Sequence, residues 1–198
     1  MTGLVEETLH VGGLSLSLLR PESPESLLDE DAFADDEFLP YWAELWPAAT
    51  ALLEALPDAL DGVRVLELGC GLGLPSLVAA GRGADVTAVD WAEDAVELMR
   101  RNAARNGLAL VCEVHDWRQP TTSTFDLAIA ADVLYEQRSV EPVLARLREA
   151  APEALVGLAG RPYEAEFLRL AAPVEHVAER VVRLRRPTRA GRPARPGG

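Results

Sequence analysis

The stretch that most constrains the fold is residues 63–75, which read V-R-V-L-E-L-G-C-G-L-G-L-P. An apolar segment typical of a buried strand runs into three glycines at alternate positions, and an apolar helix is predicted over residues 74–82. Glycine suits such a turn because the backbone must adopt positive φ values and approach a ligand closely. The helix that follows directs free N–H groups and the positive end of its dipole at the turn. The stretch therefore predicts a strand–turn–helix ligand site.

Two classes of cofactor site use this arrangement. Dinucleotide-binding folds favour G-x-G-x-x-G, and here Gly73 comes one residue early while Leu74 takes the position of the last glycine. That departure disfavours an NAD(P)-binding oxidoreductase. The form E-L-G-C-G-L-G resembles instead the first motif of class I S-adenosylmethionine (SAM)-dependent methyltransferases. The resemblance implies a Rossmann-like fold, SAM as cofactor, S-adenosylhomocysteine (SAH) as product, and cofactor contacts from Glu67, Gly69, Gly71 and Gly73.

Three further strands are predicted to deliver a carboxylate to the same edge of the sheet. The strands and their carboxylates are residues 85–90 with Asp90, residues 109–114 with Asp116, and residues 125–131 with Asp132. Ligands of open α/β sheets bind outside the carboxyl ends of the strands, so these acids and the glycine turn are expected along one rim. A purely structural glycine turn would not be expected to bring an acid after each of the next three strands.

The spacing of these residues suggests individual roles. Asp90 follows Gly73 by 17 residues, close to the ~20-residue spacing at which an acid meets ribose hydroxyls. Asp90 could also cap the next helix, and both roles could hold at once. Asp116 is expected to accept a hydrogen bond from the adenine amino group. Trp91 and Trp117 are expected against the adenine, with core packing as the alternative for Trp117.

The N-terminal part of the chain is predicted to form an extension ahead of the sheet. Weak alternation over residues 5–20 around a Gly-Gly pair predicts a β-hairpin. The acidic segment 22–37 is predicted to be a loop, either a lid or a surface crossing. The segment 40–47, P-Y-W-A-E-L-W-P, places its two tryptophans on one face if it is helical, whereas a helix that begins at Pro47 is the alternative. Trp46 is expected near the adenosyl group, with a hydrophobic plug as the other interpretation.

The predicted elements indicate an α/β fold with a Rossmann-like, doubly wound, mostly parallel seven-stranded sheet. An N-terminal β-hairpin extension precedes the sheet, and residues 174–185 are expected to form its antiparallel C-terminal edge. With 198 residues and 48% hydrophobic content, one domain is expected over residues 1–186. It divides into a hairpin and acidic loop at 1–39 and a core at 40–186. The Arg-, Pro- and Gly-rich residues 187–198 are predicted to be a disordered tail.

Charge and composition narrow the expected partners. The net charge of −13 disfavours a nucleic acid partner, which needs a basic face. It could attract a basic acceptor protein, with ordinary solubility charge as the alternative. No apolar run approaches the ~20 residues that span a membrane, and no secretory signal is visible. The two cysteines match neither a disulfide framework nor a metal site. We expect a cytoplasmic, monomeric protein with no membrane partner and no metal.

Two further segments extend the resemblance to a narrower family. They are W-A-E-L-W-P at residues 42–47, ahead of the glycine turn, and D-V-L-Y at residues 132–135, after the fourth strand. With the glycine motif, they resemble the seven-strand protein-lysine methyltransferases, the family that includes the electron transfer flavoprotein β-subunit lysine methyltransferase. The resemblance covers about residues 5–185. It implies methyl transfer to an amine nitrogen. A protein lysine is the first expected acceptor, and a small amine is the alternative.

The same resemblance assigns Asp132 and Tyr135 to catalysis. Asp132 would contact the cofactor and orient the acceptor ammonium or help remove its proton, and Tyr135 would line the acceptor channel. The structural alternative is that Asp132 caps the next element and Tyr135 packs. A small-molecule N-methyltransferase and a non-catalytic SAM-binding or scaffold protein are the other functions considered. An N-P-P-Y motif is absent from the sequence, which disfavours DNA or glutamine as the acceptor.

Overall fold

The computed structural model describes residues 3–27, 40–121 and 123–186. Helices and strands alternate along most of this part of the chain. In chain order they are β1 (Leu4–Val11), β2 (Leu14–Pro21), α1 (Pro47–Ala55), β3 (Arg64–Leu68), α2 (Leu74–Gly81), β4 (Asp85–Asp90), α3 (Glu93–Arg105), β5 (Val111–Val114), β6 (Leu127–Ala131), α4 (Val140–Ala150), β7 (Glu153–Gly157), α5 (Glu164–Ala171), β8 (Val174–Ala178) and β9 (Val181–Arg185).

Seven strands form one sheet in the order β5-β4-β3-β6-β7-β9-β8. Neighbours from β5 to β7 run parallel, whereas β9 pairs antiparallel with both β7 and β8. The chain adds β4 and β5 on one side of β3 and then crosses to β6 on the other side. The carboxyl ends of β3 and β6 therefore flank the point at which the winding reverses, where ligands of such sheets bind. The predicted doubly wound sheet with an antiparallel C-terminal edge is confirmed.

Two apolar clusters pack the helices onto the sheet. One cluster includes Leu52 of α1, Leu77 of α2 and Leu98 of α3, and the other includes Leu144 of α4 and Phe167 of α5. Strands covered by helices on both faces are apolar at successive positions, which explains why the central strands read as continuous apolar runs. The helices fix the loops at the carboxyl edge of the strands.

The strands β1 and β2 pair antiparallel over their full lengths, which confirms the N-terminal hairpin. The buried side chain of Asn102 on α3 joins this hairpin to the core. Its Oδ1 accepts a hydrogen bond from the N–H of Leu19 at 2.7 Å. Its Nδ2 donates to the carbonyls of Leu19 at 3.1 Å and of Leu72, between two of the glycines, at 3.2 Å. One side chain therefore ties the hairpin to the glycine turn.

The segment before α1 departs from one expectation. Tyr41–Ala43 forms a short 3-10 turn, Glu44 is extended with φ −117° and ψ 148°, and Trp46 is extended with φ −75° and ψ 144°. The shared helical face expected for Trp42 and Trp46 is wrong, and the alternative start at Pro47 is confirmed. Proline fits the first turn because that position needs no N–H, whereas it would break a longer helix.

Two predicted segments fall partly or wholly outside the described residues. They are residues 28–39 of the acidic loop and the tail at 187–198. The lid, the tail and the single domain over residues 1–186 therefore stay predictions. Among the described residues, no helix combines the length and apolar character that crossing a membrane requires.

Candidate active site

The glycine loop (residues 69–73) joins the end of β3 to the start of α2. Its three glycines have φ values of 72°, 49° and 79° in chain order, a region costly for residues with a side chain. The N–H of Gly69 donates to the carbonyl of Val89 on β4 at 2.9 Å. A Cβ on Gly73 would lie 1.7 Å from the sulfur of Met99, which is fully buried. Space and backbone conformation therefore both require glycine at this position.

Asp90 ends β4 with a buried carboxylate that holds the glycine loop. Its Oδ2 accepts the N–H of Gly71 at 2.9 Å, and its Oδ1 accepts the N–H of Ala92, next to α3, at 3.0 Å. Burial raises the pKa of Asp90, while the bonds from backbone N–H groups oppose that rise. Each oxygen keeps a further lone pair that a ligand hydroxyl could use. The position suits the expected role toward a ligand. The expected cap is wrong in detail, because Ala92 is the N-cap residue of α3 and Asp90 accepts the N–H of Ala92 rather than one from the first turn.

Glu67 lies on β3 directly beneath the glycine loop and is 1% exposed. Its Oε2 accepts the N–H of Ser76 in α2 at 3.0 Å. Burial raises the pKa of Glu67 to about 8, and the nearby Asp90 charge adds to the rise. At neutral pH the carboxyl is therefore mostly protonated and can donate a hydrogen bond as well as accept one.

A cleft opens at this edge of the sheet. All of the predicted site residues except Asp116 line it. These lining residues are Trp46, Glu67, Gly69, Gly71, Gly73, Asp90, Trp91, Trp117, Asp132 and Tyr135. The structure thus brings together side chains from both sides of the winding reversal.

Asp116 lies in an adjoining cleft of about 780 Å³. Its Oδ1 accepts the backbone N–H of Arg118 at 2.8 Å, and its Oδ2 accepts the Arg118 Nε at 2.7 Å. These hydrogen bonds hold the pKa of Asp116 below its ordinary value. The two clefts share a wall of aromatic side chains. These are Tyr41, Trp91, Trp117 and Tyr135.

Asp132 follows β6 in a left-handed conformation with φ 54°, which costs a non-glycine residue ~1–3 kcal/mol. Its N–H donates to the carbonyl of Gly157 on β7 at 3.2 Å. Both carboxylate oxygens accept hydrogen bonds from Arg161, each at 2.7 Å. The hydrogen bond to Asp132 raises the pKa of Arg161 further above its ordinary value. Asp132 therefore enters the site as half of an ion pair rather than as a free carboxylate.

Tyr135 belongs to the aromatic wall. Its ring centroid lies 5.2 Å from that of Tyr41 and, in an edge-on arrangement, 6.2 Å from that of Trp117. Burial raises the pKa of Tyr135 further above its ordinary value, so its hydroxyl stays protonated at neutral pH. The Nε1 of Trp46 donates to the Tyr41 carbonyl at 2.7 Å. The segment before α1 and the residues after β6 thus close the cleft together.

Sequence reasoning missed Arg161 and Tyr41. Arg161 follows β7 as Asp132 follows β6, so the same strand-edge rule would have singled it out. Tyr41 lies in segment 40–47, whose tryptophans alone were given roles. In the described part of the chain, no three or more His, Cys, Asp or Glu side chains gather closely enough to hold a metal ion.

Residues 65–152 match the family model described as a methyltransferase domain. The chain is 34% identical over 108 residues to the magnesium-protoporphyrin O-methyltransferase of Rhodobacter capsulatus, covering 53% of this chain and 48% of that protein. It is 35% identical over 103 residues to the electron transfer flavoprotein beta subunit lysine methyltransferase of Danio rerio, covering 50% of this chain and 40% of that protein. The chain thus spans less than half the length of these two relatives.

Among solved structures, the fold is similar to a 16S rRNA methyltransferase of T. thermophilus in complex with AdoMet and guanosine. The TM-score is 0.67 at 20% identity, over 94% of this chain and 51% of that chain. At this identity the likeness shows the fold. Other curated relatives are named as methyltransferases of ribosomal RNA and of ribosomal protein L11. The relatives therefore share methyl transfer but are named for acceptors of different kinds.

Proposed function

We propose that this chain is a SAM-dependent methyltransferase that transfers a methyl group to an amine nitrogen, with a protein lysine as the acceptor. The observation that carries the proposal is the meeting of the glycine loop, Asp90 and the Asp132–Tyr135 segment in one cleft. Methyl transfer requires two substrates held side by side, and this cleft offers a separate group of residues for each. The methyltransferase-domain match over residues 65–152 supports the methyltransferase part of the proposal.

The residues of the glycine side fit SAM. A glycine loop at a helix N-terminus accommodates the close approach of a polar ligand, and Asp90 retains lone pairs for the ribose hydroxyls. Trp91 offers an aromatic face for the adenine, whereas Trp117, which is 7% exposed, packs in the core at the edge of the cleft. Asp116, in the adjoining cleft, would take the adenine amine. When bound, SAM supplies an electrophilic methyl group on a sulfonium, so the chain needs no redox chemistry of its own.

The other side of the cleft fits an acceptor amine. A lysine amine with a pKa near ~10.4 is mostly protonated at neutral pH and must lose its proton before it can attack. Aromatic faces and a carboxylate hold such a cation, and Tyr41, Trp46, Asp132 and Tyr135 provide them here. The protonated Tyr135 hydroxyl would form one hydrogen bond with the methyl-accepting amine, either as donor or as acceptor of that bond. Asp132 would orient the ammonium, and water in the open cleft would receive the proton.

Two observations favour a protein lysine over other acceptors. The net charge of −13 attracts a basic protein and repels a nucleic acid. A relative with 35% identity is named as a lysine methyltransferase of a protein subunit. A small amine is the alternative that the same side chains would accept.

The first test is thermal unfolding of the chain with SAM, SAH or NAD. A ligand at ~100 times its dissociation constant adds about 2.7 kcal/mol to the free energy of unfolding. We expect SAM and SAH to raise the unfolding midpoint and NAD to leave it unchanged. Stabilisation by NAD alone would contradict the proposal. Transfer of radiolabelled methyl groups to lysine-rich proteins, with free lysine in parallel, then identifies the acceptor class.

A matched pair of variants tests the acceptor side, because β6 has an Asp–Arg pair at each end. Asp132→Ala removes the pair at the cleft, whereas Asp126→Ala removes the exposed pair with Arg64 at the opposite edge. We expect Asp132→Ala to lower turnover at least ~100-fold with little change in SAM affinity. Asp126→Ala should retain wild-type turnover. Equal losses of turnover and SAM affinity in Asp132→Ala would contradict its assignment to the acceptor.

A further inference from the structure

Arg161 engages the carboxylate that the acceptor site presents. Its Nε donates to Asp132 Oδ1 and its Nη2 to Oδ2, both at 2.7 Å. The Asp132 side chain is only 2% exposed, whereas Arg161 keeps 29% of its side-chain surface exposed. A two-pronged pair of this kind is stronger and more directional than a single hydrogen bond. Arg161 therefore covers Asp132 from the solvent side.

The same guanidinium lies over an aromatic ring of the cleft. Its central carbon is 4.9 Å from the centroid of the Trp46 ring, within the ~6 Å of a cation–π contact. The ring is also held by a hydrogen bond in its own plane, since Trp46 Nε1 donates to the carbonyl of Tyr41. A carboxylate beside an aromatic face is an arrangement that binds an organic cation, and Arg161 makes both contacts at once.

The loop that carries Arg161 is held in place independently of Asp132. Glu164 Oε1 accepts the N–H groups of Ala159 at 2.7 Å and of Gly160 at 2.9 Å. Gly160 has φ 83°, a conformation that glycine adopts without strain. The backbone of the loop can therefore keep its shape when the Arg161 side chain leaves Asp132. This side chain has several rotatable bonds and is partly exposed.

We propose that Arg161 is an internal mimic of the acceptor cation, so that an acceptor ammonium and Arg161 compete for the subsite formed by Asp132 and Trp46. The identity of the competing ammonium as a methyl acceptor rests on the proposed function, whereas the cation subsite itself does not. The acceptor binds only the fraction of molecules in which Arg161 has moved, and its apparent affinity falls by that fraction. A free amine competes poorly, while a lysine within a protein gains contacts elsewhere that offset the cost. Arg161 is thus a specificity-determining residue.

The test titrates n-butylammonium chloride into the 198-residue chain by calorimetry, with n-butanol as the uncharged control. Arg161→Ala vacates the subsite, and we expect it to bind the ammonium at least tenfold more tightly than the wild type does. Arg180→Ala removes an exposed arginine from the turn between β8 and β9 and should behave as the wild type. Adding Asp132→Asn to Arg161→Ala should abolish the gain. Equal affinities in the wild type and Arg161→Ala would overturn the proposal, as would equal binding of n-butanol.

Removing Arg161 leaves the buried Asp132 without its partner, which lowers stability. Circular dichroism and thermal unfolding therefore accompany each titration. If Arg161→Ala does not fold, Arg161→Gln replaces it, because glutamine donates a hydrogen bond to Asp132 without a competing charge. The same tenfold gain is then expected. Because the titration needs no SAM, a chain that fails to bind SAM would refute the proposed function and leave this result readable.

Discussion

Gly157→Ala tests whether the backbone of α1 is packed directly against β7 beneath the cleft. A Cβ on Gly157 would lie 2.6 Å from the carbonyl oxygen of Ala48, a backbone atom in the first turn of α1. Ordinary contact begins near 3.4 Å, so the helix start must move by about 0.8 Å. Overpacking of this size costs ~1–3 kcal/mol. Urea and thermal unfolding should show that loss, with the thermal midpoint lower by ~2–4 °C per kcal/mol.

The matched control is Gly81→Ala, at the last residue of α2. There a Cβ would lie 2.5 Å from Leu14 Cδ1, the far end of a flexible side chain. Neither glycine has a positive φ, so the two variants differ chiefly in what the new methyl group meets. We expect Gly81→Ala to stay within ~0.5 kcal/mol of the wild type, helped by the better helix propensity of alanine. Equal stabilities of the two variants would refute the reasoning.

Gly157→Ala should also lower the rate of the proposed methyl transfer. The carbonyl of Gly157 accepts the N–H of Asp132, and α1 begins directly after Trp46. A shift of α1 therefore displaces the acceptor side of the cleft. Since a misplacement of ~1 Å can cost up to ~100-fold in rate, turnover should fall on the order of tenfold with SAM affinity nearly unchanged. Calorimetry of SAM binding separates the two quantities.

Three further predictions concern the residues that hold the glycine loop and the helix after it. The pKa of Glu67 is raised to about 8. Its contribution to stability is therefore fully present below pH ~4.5 and is lost as the pH rises to about 8. In urea unfolding, Glu67→Gln should flatten this fall in the free energy of unfolding with pH. Asp90→Asn places an amide NH2 group against backbone N–H donors, which leaves at least one donor unpaired. We therefore expect SAM binding, measured by calorimetry, to weaken ~10–100-fold. Asn102→Ala leaves backbone groups of Leu19 and Leu72 unpaired and should lower the free energy of unfolding by ~2–4 kcal/mol.

The glycine-loop side of the cleft, which is proposed to bind SAM, was predictable because its signals are local in the sequence. The strand, the glycine turn and the helix of residues 63–81 are contiguous, and their local preferences agree with the conformation that each adopts in the fold. Asp90 was found through its spacing from Gly73, since a strand after a helix returns to the same edge of the sheet. The start of α1 at Pro47 followed from the missing N–H of proline.

The acceptor side was less predictable because its contacts join distant segments. Asp132 and Arg161 are 29 residues apart in sequence, and their pairing depends on a left-handed residue after β6 and a glycine turn after β7. Trp46 reaches the same point only because the chain before α1 is extended rather than helical. The strand-edge rule brings Asp132 and Arg161 to one rim of the sheet, but periodicity and spacing do not predict that these two side chains and Trp46 contact one another.

This division has a consequence for how acceptors are chosen. The glycine loop and Asp90 are held by backbone hydrogen bonds and burial, so a substitution there disturbs the fold together with the site. The acceptor side is formed by side chains that extend from separate loops, and Arg161 is partly exposed. Substitutions at Arg161 can therefore change which cation fits while the glycine loop and Asp90 keep their own hydrogen bonds. Acceptor preference is accordingly expected to follow residue 161 and its aromatic neighbours rather than the shared glycine motif.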